Sequence, residues 1–572
     1  MASIIKKKVK KYTYYYLVES ARVNGKPRIV SQKYLGTASD IADAVSAKEG
    51  GVPDPEYSTV MDFGAVCALY DVAERLGVRD IINAHAGKRG QGLPVGDSIL
   101  LAGINRAVHP KSKKGFFPWF DKTVLHNLFP AANKKSLSSQ GFWNNMSILD
   151  AGKIRKAEDE LTKAIVEKYD LSTDCLLFDN TNFFTHIDTA GPSELARRGN
   201  SKQKRSDLKI IGLSLMASRE NSIPLFHETY PGNTNDAKRF SEVIESLKAR
   251  YNKIRKGAGP VTLVFDKGNN NESNIEELLN ESPCAFSFVG GLRLSQCPEL
   301  LDVPKEKFVP LEGECFKGAA AYRTLKRLYN KETTVVLTFN PELFRAQLEG
   351  VSGNIIKCET GMRGLSAGLK ARAEGEVTKG KKPTIDSVTN KIAGILAAQH
   401  MKDVFDYEVS LSESGVPEVT FSVSGEKLEG LKEKVLGKSI LFTDHADWSN
   451  EKIVSAYRSQ YHIEDCFKQM KDIEHLGFRP IHHWTDQMIR VHAFYCVLAL
   501  MLCGVLNREL ESMGHKMSIN AMLDMLMDVQ QVITVFPVKG KKHISKSSFS
   551  RLEGEAKTIV EGLGLMKYQI KL

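Results

Sequence analysis

Apolar and polar positions change period several times along the chain, and each change predicts a different element. Residues 12–36 alternate Tyr, Val and Ile with polar residues around Asn24-Gly25, the pattern of a β-hairpin. Over residues 62–168 apolar residues recur three and four apart, as in Phe63-Gly-Ala-Val-Cys-Ala-Leu-Tyr-Asp-Val-Ala-Glu-Arg-Leu-Gly77, which predicts helices, the first closed by Gly77. Cys175-Leu-Leu-Phe178 is a short apolar run of strand type ending in Asp179. Strand patterns follow at 209–216 and 223–230, then a helix over 236–251 with Phe240, Val243, Ile244 and Leu247 on one face. Val261-Thr-Leu-Val-Phe265 repeats the first pattern and ends in Asp266; a helix over 273–279 and a strand over 285–289 continue the alternation. The series predicts an α/β fold built on a mixed sheet. In open α/β sheets functional groups gather at the carboxyl ends of strands, where Asp179 and Asp266 are both expected.

Between residues 290 and 445 the rhythm breaks. Gly290-Gly291 and glycines over 350–353 and 361–368 punctuate β-like runs such as Thr333-Thr-Val-Val-Leu-Thr-Phe339 and Glu418-Val-Thr-Phe-Ser-Val423, which predicts a largely β insertion. Lys370, Arg372, Lys379, Lys381 and Lys382 within it read as a basic loop or short linker. Ser439-Ile-Leu-Phe-Thr443 is a further strand, and a helix is expected over 450–475. That helix reads Tyr457-Arg-Ser-Gln-Tyr-His-Ile-Glu-Asp-Cys-Phe-Lys-Gln-Met-Lys471. Ile463, Phe467 and Met470 form its apolar stripe, and Tyr457, Tyr461, Glu464, Lys468 and Lys471 form a polar stripe rotated by roughly 100°. Glu464 is therefore expected at the edge of a buried face, where an isolated carboxylate is costly to ionise.

Composition narrows the class. The chain has 572 residues, 42% hydrophobic and 26% charged, which excludes a disordered or fibrous chain and predicts three or four domains. A formal net charge of +11 fits a polyanionic partner. Nine cysteines form no Cys-x-x-Cys pair, a pattern of reduced thiols rather than of a disulfide framework or zinc ribbon. The N-terminus lacks the apolar core of a signal peptide, and the longest apolar run, residues 491–506, is short for a membrane span. Lys111, Lys113, Lys114, Lys134 and Lys135 lie among Phe116, Phe117 and Trp119, either a DNA-contacting module or a solvated face over a core. Arg197, Arg198, Lys202, Lys204, Arg205 and Lys209 form a second basic run, and Lys539-Gly-Lys-Lys-His543 a third. His462, His482 and His483 lack the cysteine or carboxylate spacing of a transition-metal site.

Asp179, Asp266 and Glu464 together make an oxygen-only donor set suited to two hard Mg²⁺ or Mn²⁺ ions, the arrangement of an in-line phosphoryl displacement. The alternative is three separate caps and rim charges, and periodicity leaves both open. No Gly-x-x-x-x-Gly-Lys-Ser/Thr loop is present, so nucleotide-driven chemistry has no support.

The segments resemble the DDE transposases of bacterial insertion sequences, in the group marked by a Tyr-x2-Arg-x3-Glu-x6-Lys helix. Here that pattern reads Tyr457, Gln460, Glu464 and Lys471, with Gln460 in place of the arginine. Leu176-Leu-Phe-Asp-Asn-Thr-Asn182 resembles the first-aspartate strand, Tyr230-Pro-Gly-Asn-Thr-Asn-Asp236 the turn after it, and Val264-Phe-Asp-Lys-Gly268 the second-aspartate strand. Arg479-Pro and the His492-Ala-Phe-Tyr-Cys-Val-Leu-Ala-Leu run resemble the region after the catalytic helix.

The resemblance implies a ribonuclease-H-like mixed-sheet core with Asp179, Asp266 and Glu464 as catalytic residues and metal ligands. It also implies DNA contacts from Tyr457, Gln460, Lys468 and Lys471, with Arg458 as a substitute for the absent arginine. The activity implied is cleavage at terminal inverted repeats and transfer of the 3′-hydroxyl into target DNA, by a homodimer holding both element ends. The expected layout is a β-hairpin region (1–58), a helical DNA-binding domain (59–170), the core in two parts (171–290 and 439–510), the β-rich insertion (291–438) and a helical C-terminal region (511–572). A cytoplasmic, nucleoid-associated prokaryotic protein without a membrane partner is expected. An idle DNA-binding derivative and a stand-alone ribonuclease-H-like nuclease are the competing functions.

Overall fold

The computed structural model describes residues 2–572 other than 11, 24–25, 50–53, 88–90, 188–192, 200–204, 206, 235, 255–260, 281–283, 538–542 and 551. The Asn24-Gly25 turn, Lys202, Lys204, Asn235 and most of the 539–543 run fall outside the described residues. The chain forms two units, one of residues 1–68, 118–130 and 524–572, the other of residues 69–117 and 131–523.

In the first unit, β1 (Ala2–Val9), β2 (Tyr12–Val23) and β3 (Lys26–Gly36) form an antiparallel sheet. The predicted hairpin thus gains a third strand whose residues are nearly all exposed, so it carries no alternation to read. β4 (Tyr57–Asp62) pairs with Gln530–Phe536, which pairs in turn with Ile544–Phe549.

The second unit opens with helices Val78–Ala86, Val95–Val108, Ser139–Met146 and Ala151–Lys168, as the periodicity predicts. Helix Val95–Val108 packs against Asp486–Ser512. The latter is long and apolar enough to cross a bilayer, yet 94% of its most apolar window is buried inside the fold. Beside these helices, among the described residues, stands a nine-stranded sheet. Its first members are β5 (Cys175–Phe184), β6 (Ile210–Ser218), β7 (Pro224–Pro231), β8 (Val261–Phe265) and β9 (Phe286–Leu292). β10 (Val309–Pro310), β11 (Ala320–Leu328) and β12 (Lys331–Phe339) extend it, and β13 (Phe405–Leu411) and β14 (Pro417–Val423) form a separate hairpin. With β15 (Lys438–Thr443) the order is β10-β11-β12-β15-β9-β8-β5-β6-β7. β5, β8 and β9 run parallel and the outer pairs antiparallel, so the fold is mixed α/β. Phe178, Phe240 and Phe265 meet at centroid distances of 5.1 and 5.2 Å between the sheet and helix Asp236–Ile254. The buried Glu158 carboxylate joins helix Ala151–Lys168 to β7 and Asp236–Ile254, accepting from His227 Nδ1 and from Arg250 Nη2 at 2.5 Å.

Four expectations need correction. The 511–572 region is not helical throughout: it contains the paired strands Gln530–Phe536 and Ile544–Phe549. β5 does not end at Asp179; it runs to Phe184, because residues 180–184 keep pairing with β6. The parallel ladder to β8, however, covers only Cys175–Phe178 against Thr262–Phe265, so Asp179 is the first residue past that ladder. The region from 291 to 438 is not largely β: it contains the helix Pro341–Ala373, and helices Ile385–Ile395 and Gly425–Lys434 besides the β13–β14 hairpin. Glycines 350, 353, 361, 364 and 368, read as β punctuation, lie inside that long helix, as do Lys370 and Arg372. Val351, Cys358, Met362, Val388, Ile392 and Phe405 give the segment a core of its own. It departs after Phe339 and returns at Lys438, which face each other across the β12–β15 ladder. Finally, the helix over 450–475 is two helices, Asn450–Arg458 and Tyr461–Lys471, broken at Ser459-Gln460.

Candidate active site

Strand ends and the second of these helices converge on an open cavity of about 1450 Å³, mouth included, lined by Asp179, Asp266 and Glu464. Asp179 is half-buried on β5, and one oxygen accepts from the Asn180 backbone N–H at 2.7 Å. Asp266 follows β8 directly and is exposed to the cavity. Glu464 is exposed in the first turn of Tyr461–Lys471, where the positive end of the helix favours a carboxylate. Three residues scattered over the sequence therefore share one cavity wall.

Tyr457 measures their common field. Its hydroxyl donates to Asp266 Oδ1 at 3.4 Å. Burial raises its pKa first, and Asp266, Glu464 and Asp179 each raise it further, so one phenol senses all three carboxylates. Gly291 makes this placement possible, since a Cβ there would stand 2.3 Å from the Tyr457 oxygen. The extended backbone of β9 would accept a side chain; the tyrosine would not.

Two cations line the same cavity. Lys471 Nζ donates to Thr181 Oγ1 at 2.8 Å and lies 5.8 Å from the Phe183 ring centroid. Arg479 sits in the loop that runs beside the end of β5, where Thr185 bridges Ile481 and His186 N–H donates to the Ile481 carbonyl at 2.8 Å. Its Nε is buried without a hydrogen-bond partner among the described residues. Neither periodicity nor the helix motif singles out Arg479 as a site residue; only the tertiary path of its loop brings it in.

The remaining sequence candidates are placed elsewhere. Gln460 is buried at the break between the helices, its amide reaching the Phe178 carbonyl at 3.5 Å. Arg458 Nη1 donates to the Cys315 carbonyl at 2.8 Å and the guanidinium lies 5.0 Å from the Phe316 ring centroid, away from the cavity. Lys468 is exposed on the adjoining surface with Glu464, Phe467, Lys471 and Asp472. His462 pairs with Ser222 Oγ at 2.9 Å, and His483 with Lys113 Nζ at 3.2 Å.

A metal here would take its ligands from the side chains that line the cavity. Among the described residues, no three His, Cys, Asp or Glu side chains stand close enough to form a ready cage. The cavity donors are nevertheless all oxygen. Asn180, Asn182 and Asn269 also line it, and their buried amide oxygens have no hydrogen-bond partner among the described residues. Such oxygens are costly to leave unmatched and are the ligands a hard divalent cation takes. The donor chemistry fits Mg²⁺ or Mn²⁺; a closed coordination shell would need the side chains to draw together.

No family model matches the chain, and neither does any curated protein. Among solved structures it is similar to piggyBac transposase in a synaptic complex with hairpin DNA, at 11% identity and a TM-score of 0.34, over 83% of this chain and 82% of that one. It is also similar to Mos1 transposase in a paired-end complex with the left transposon end, at 13% identity and a TM-score of 0.15, over 37% of this chain and 62% of that one. Both structural neighbours are DNA transposases by name, but likeness at this level carries no functional argument, and the chemistry rests on the cavity's own residues.

Proposed function

We propose that the chain is a DNA-cleaving and strand-transferring enzyme, a DDE transposase with a ribonuclease-H-like core. One observation carries the reading: Asp179, Asp266 and Glu464, far apart in sequence, line one cavity with Lys471 and Arg479. An acidic floor beside cations suits a phosphodiester, whose oxygens the cations hold while the carboxylates take hard ions. Asp179, Asp266 and Glu464 would hold two Mg²⁺ or Mn²⁺, which when bound supply Lewis-acid activation of the scissile phosphate. Lys471 and Arg479 position the strand by its phosphates, and the amides of Asn180, Asn182 and Asn269 face the same space. Tyr457, donating to Asp266, keeps that carboxylate oriented.

In this reading Arg479 supplies the guanidinium that Gln460 lacks, and Lys468 extends the contact surface. The resemblance of the Tyr457–Lys471 segment to insertion-sequence transposases supports terminal inverted repeats and target DNA as substrates, joining through a free 3′-hydroxyl, and a homodimeric assembly in a nucleoid-associated protein. Gln460, standing where the insertion-sequence group has arginine, favours a second reading, an idle DNA-binding derivative.

Supercoiled plasmid and a 3′-hydroxyl oligonucleotide duplex, incubated with Mg²⁺ or Mn²⁺, separate the two. Cleavage and joining by the native chain, lost in Asp266→Asn and Glu464→Gln, is the expected result. DNA binding without products selects the idle reading, and products surviving both substitutions overturn the assignment of the site.

A further inference from the structure

A second group of cations lies in the same unit, outside the carboxylate cavity. Of the basic residues over 111–135, Lys114, Lys134 and Lys135 are exposed, whereas Lys113 is half-buried. With Arg106 it lines a shallow surface depression against Phe142 and Tyr495. Lys113 Nζ lies 3.2 Å from His483 Nε2 and 5.8 Å from the Phe142 ring centroid. Arg106 donates to the carbonyls of Gly477 at 3.2 Å and Lys111 at 3.5 Å, and its guanidinium lies 5.8 Å from the Tyr495 ring centroid. No carboxylate pairs with either cation among the described residues.

The neighbouring imidazoles do not balance the charge. Burial, then Lys113 and Arg106, hold His483 well below its usual pKa, so it is neutral at pH 7 and its Nε2 accepts from Lys113. His492 is buried and neutral too, Nε2 donating to the Phe478 carbonyl at 2.7 Å. Burial, with Arg106 adding to it, lowers the Lys113 amine to about 8. Two half-buried like charges with neutral neighbours leave room for an anion to bind between them.

The depression shares a loop with the carboxylate cavity. Gly477, which holds Arg106, precedes Phe478, stacked on Phe183 of β5 at 4.1 Å, and Arg479, which lines the cavity. The 477–479 loop therefore touches Arg106 at one end and the cavity at the other. We propose that Arg106 and Lys113 bind a DNA backbone phosphate other than the scissile one, across the 477–479 loop from the carboxylates. The proposal rests on the DNA reading above and adds an anchoring site to it.

The test is binding of a generic 30-base-pair duplex to the full chain over a range of salt concentrations. Each lost phosphate contact flattens the slope of log affinity against log salt by about 0.9. Because both cations share one phosphate, the Arg106→Gln/Lys113→Gln double variant is expected to flatten it by that amount and each single Gln variant by part of it, with Lys113→Arg restoring it and thermal melting confirming folded variants. An unchanged slope in the double variant, with salt-dependent binding by the native chain, overturns this proposal alone. Absence of DNA binding by the native chain defeats the functional reading. Saturable inorganic phosphate binding, lost in Lys113→Gln, would then keep an anion site here, and its absence would remove it.

Discussion

Gly291→Ala offers a quantitative test of how Tyr457 is held. The added Cβ would lie 2.3 Å from the tyrosine oxygen, 2.8 Å from Cζ and 3.1 Å from Lys267 Cγ. Ordinary contact begins near 3.4 Å, so the phenol must withdraw by about 1 Å. Its 3.4 Å bond to Asp266 is already at the long limit and would break. Overpacking of this kind costs about 1–3 kcal/mol. The bond itself contributes less than ~1 kcal/mol, so the clash dominates. Tyr457→Phe removes the nearest colliding atom, and the double variant is therefore expected to recover roughly 1 kcal/mol or more of the alanine's cost. Urea unfolding of the native chain, both single variants and the double variant supplies the cycle. Additivity within about 0.5 kcal/mol would refute the claim that the tyrosine oxygen occupies the space above Gly291. On the functional reading, cleavage by Gly291→Ala should also fall by about 10–100-fold, because a shift of this size disorders a reacting geometry.

Three further outcomes are expected. Glu158→Gln should cost about 1–3 kcal/mol, because His227 loses its buried anion while Arg250 keeps Asp159 Oδ1 at 2.6 Å. Burial pushes the Glu158 carboxyl up, but His227 and Arg250 outweigh it and hold the pKa below the ordinary 4.5. Its stabilisation is therefore complete above that value and is lost as pH falls through the lower folded pKa, a limb the Gln variant should lack in urea midpoints. Lys248 donates to the Glu277 carbonyl at 2.8 Å and the Asn280 carbonyl at 2.6 Å, closing the end of helix Glu272–Leu279. Lys248→Met should strand those carbonyls at about 1–3 kcal/mol, read by thermal melting. Of the nine cysteines only Cys315 is exposed, while burial pushes the Cys175 thiol up to about 11 and the Cys496 thiol up to about 12. A thiol reagent should label one site rapidly, and Cys315→Ser should abolish that phase.

Most of the sheet was legible because strands such as β5, β8 and β15 are continuous apolar runs, and Asp266 ends such a run as the pattern predicts. β11 was not, because Arg323, Lys326 and Arg327 interrupt it. Asp179 sits within a strand because β6 continues the pairing that β8 stops, a difference between partners invisible in β5 alone. The helix Pro341–Ala373 was hidden by its glycines. Four of them, Gly350, Gly353, Gly364 and Gly368, have nothing within 4 Å of where a Cβ would lie, so packing does not demand glycine there. Its buried residues Val351, Cys358, Met362 and Leu369 do keep a helical spacing, but one too sparse to outweigh the glycines. Arg458 and Arg479 exchange importance for a tertiary reason: one is captured by the Cys315 carbonyl, the other carried to the cavity by a loop beside β5.

The point at which the 340–437 segment joins the sheet has a consequence for how such a chain can change. Phe339 and Lys438 occupy one rung of the β12–β15 ladder, and Asn340 N–H donates to the Gly437 carbonyl at 2.8 Å, so the excursion leaves and re-enters like the tip of a hairpin. Closing a longer excursion costs only about 0.6 kcal/mol for each doubling of length. With its own hydrophobic core, the segment is a cassette: it can be lengthened, exchanged or replaced by a two-residue turn without resetting the register of strands that carry Asp179 and Asp266. The carboxylate scaffold and the cassette are therefore free to diversify at different speeds.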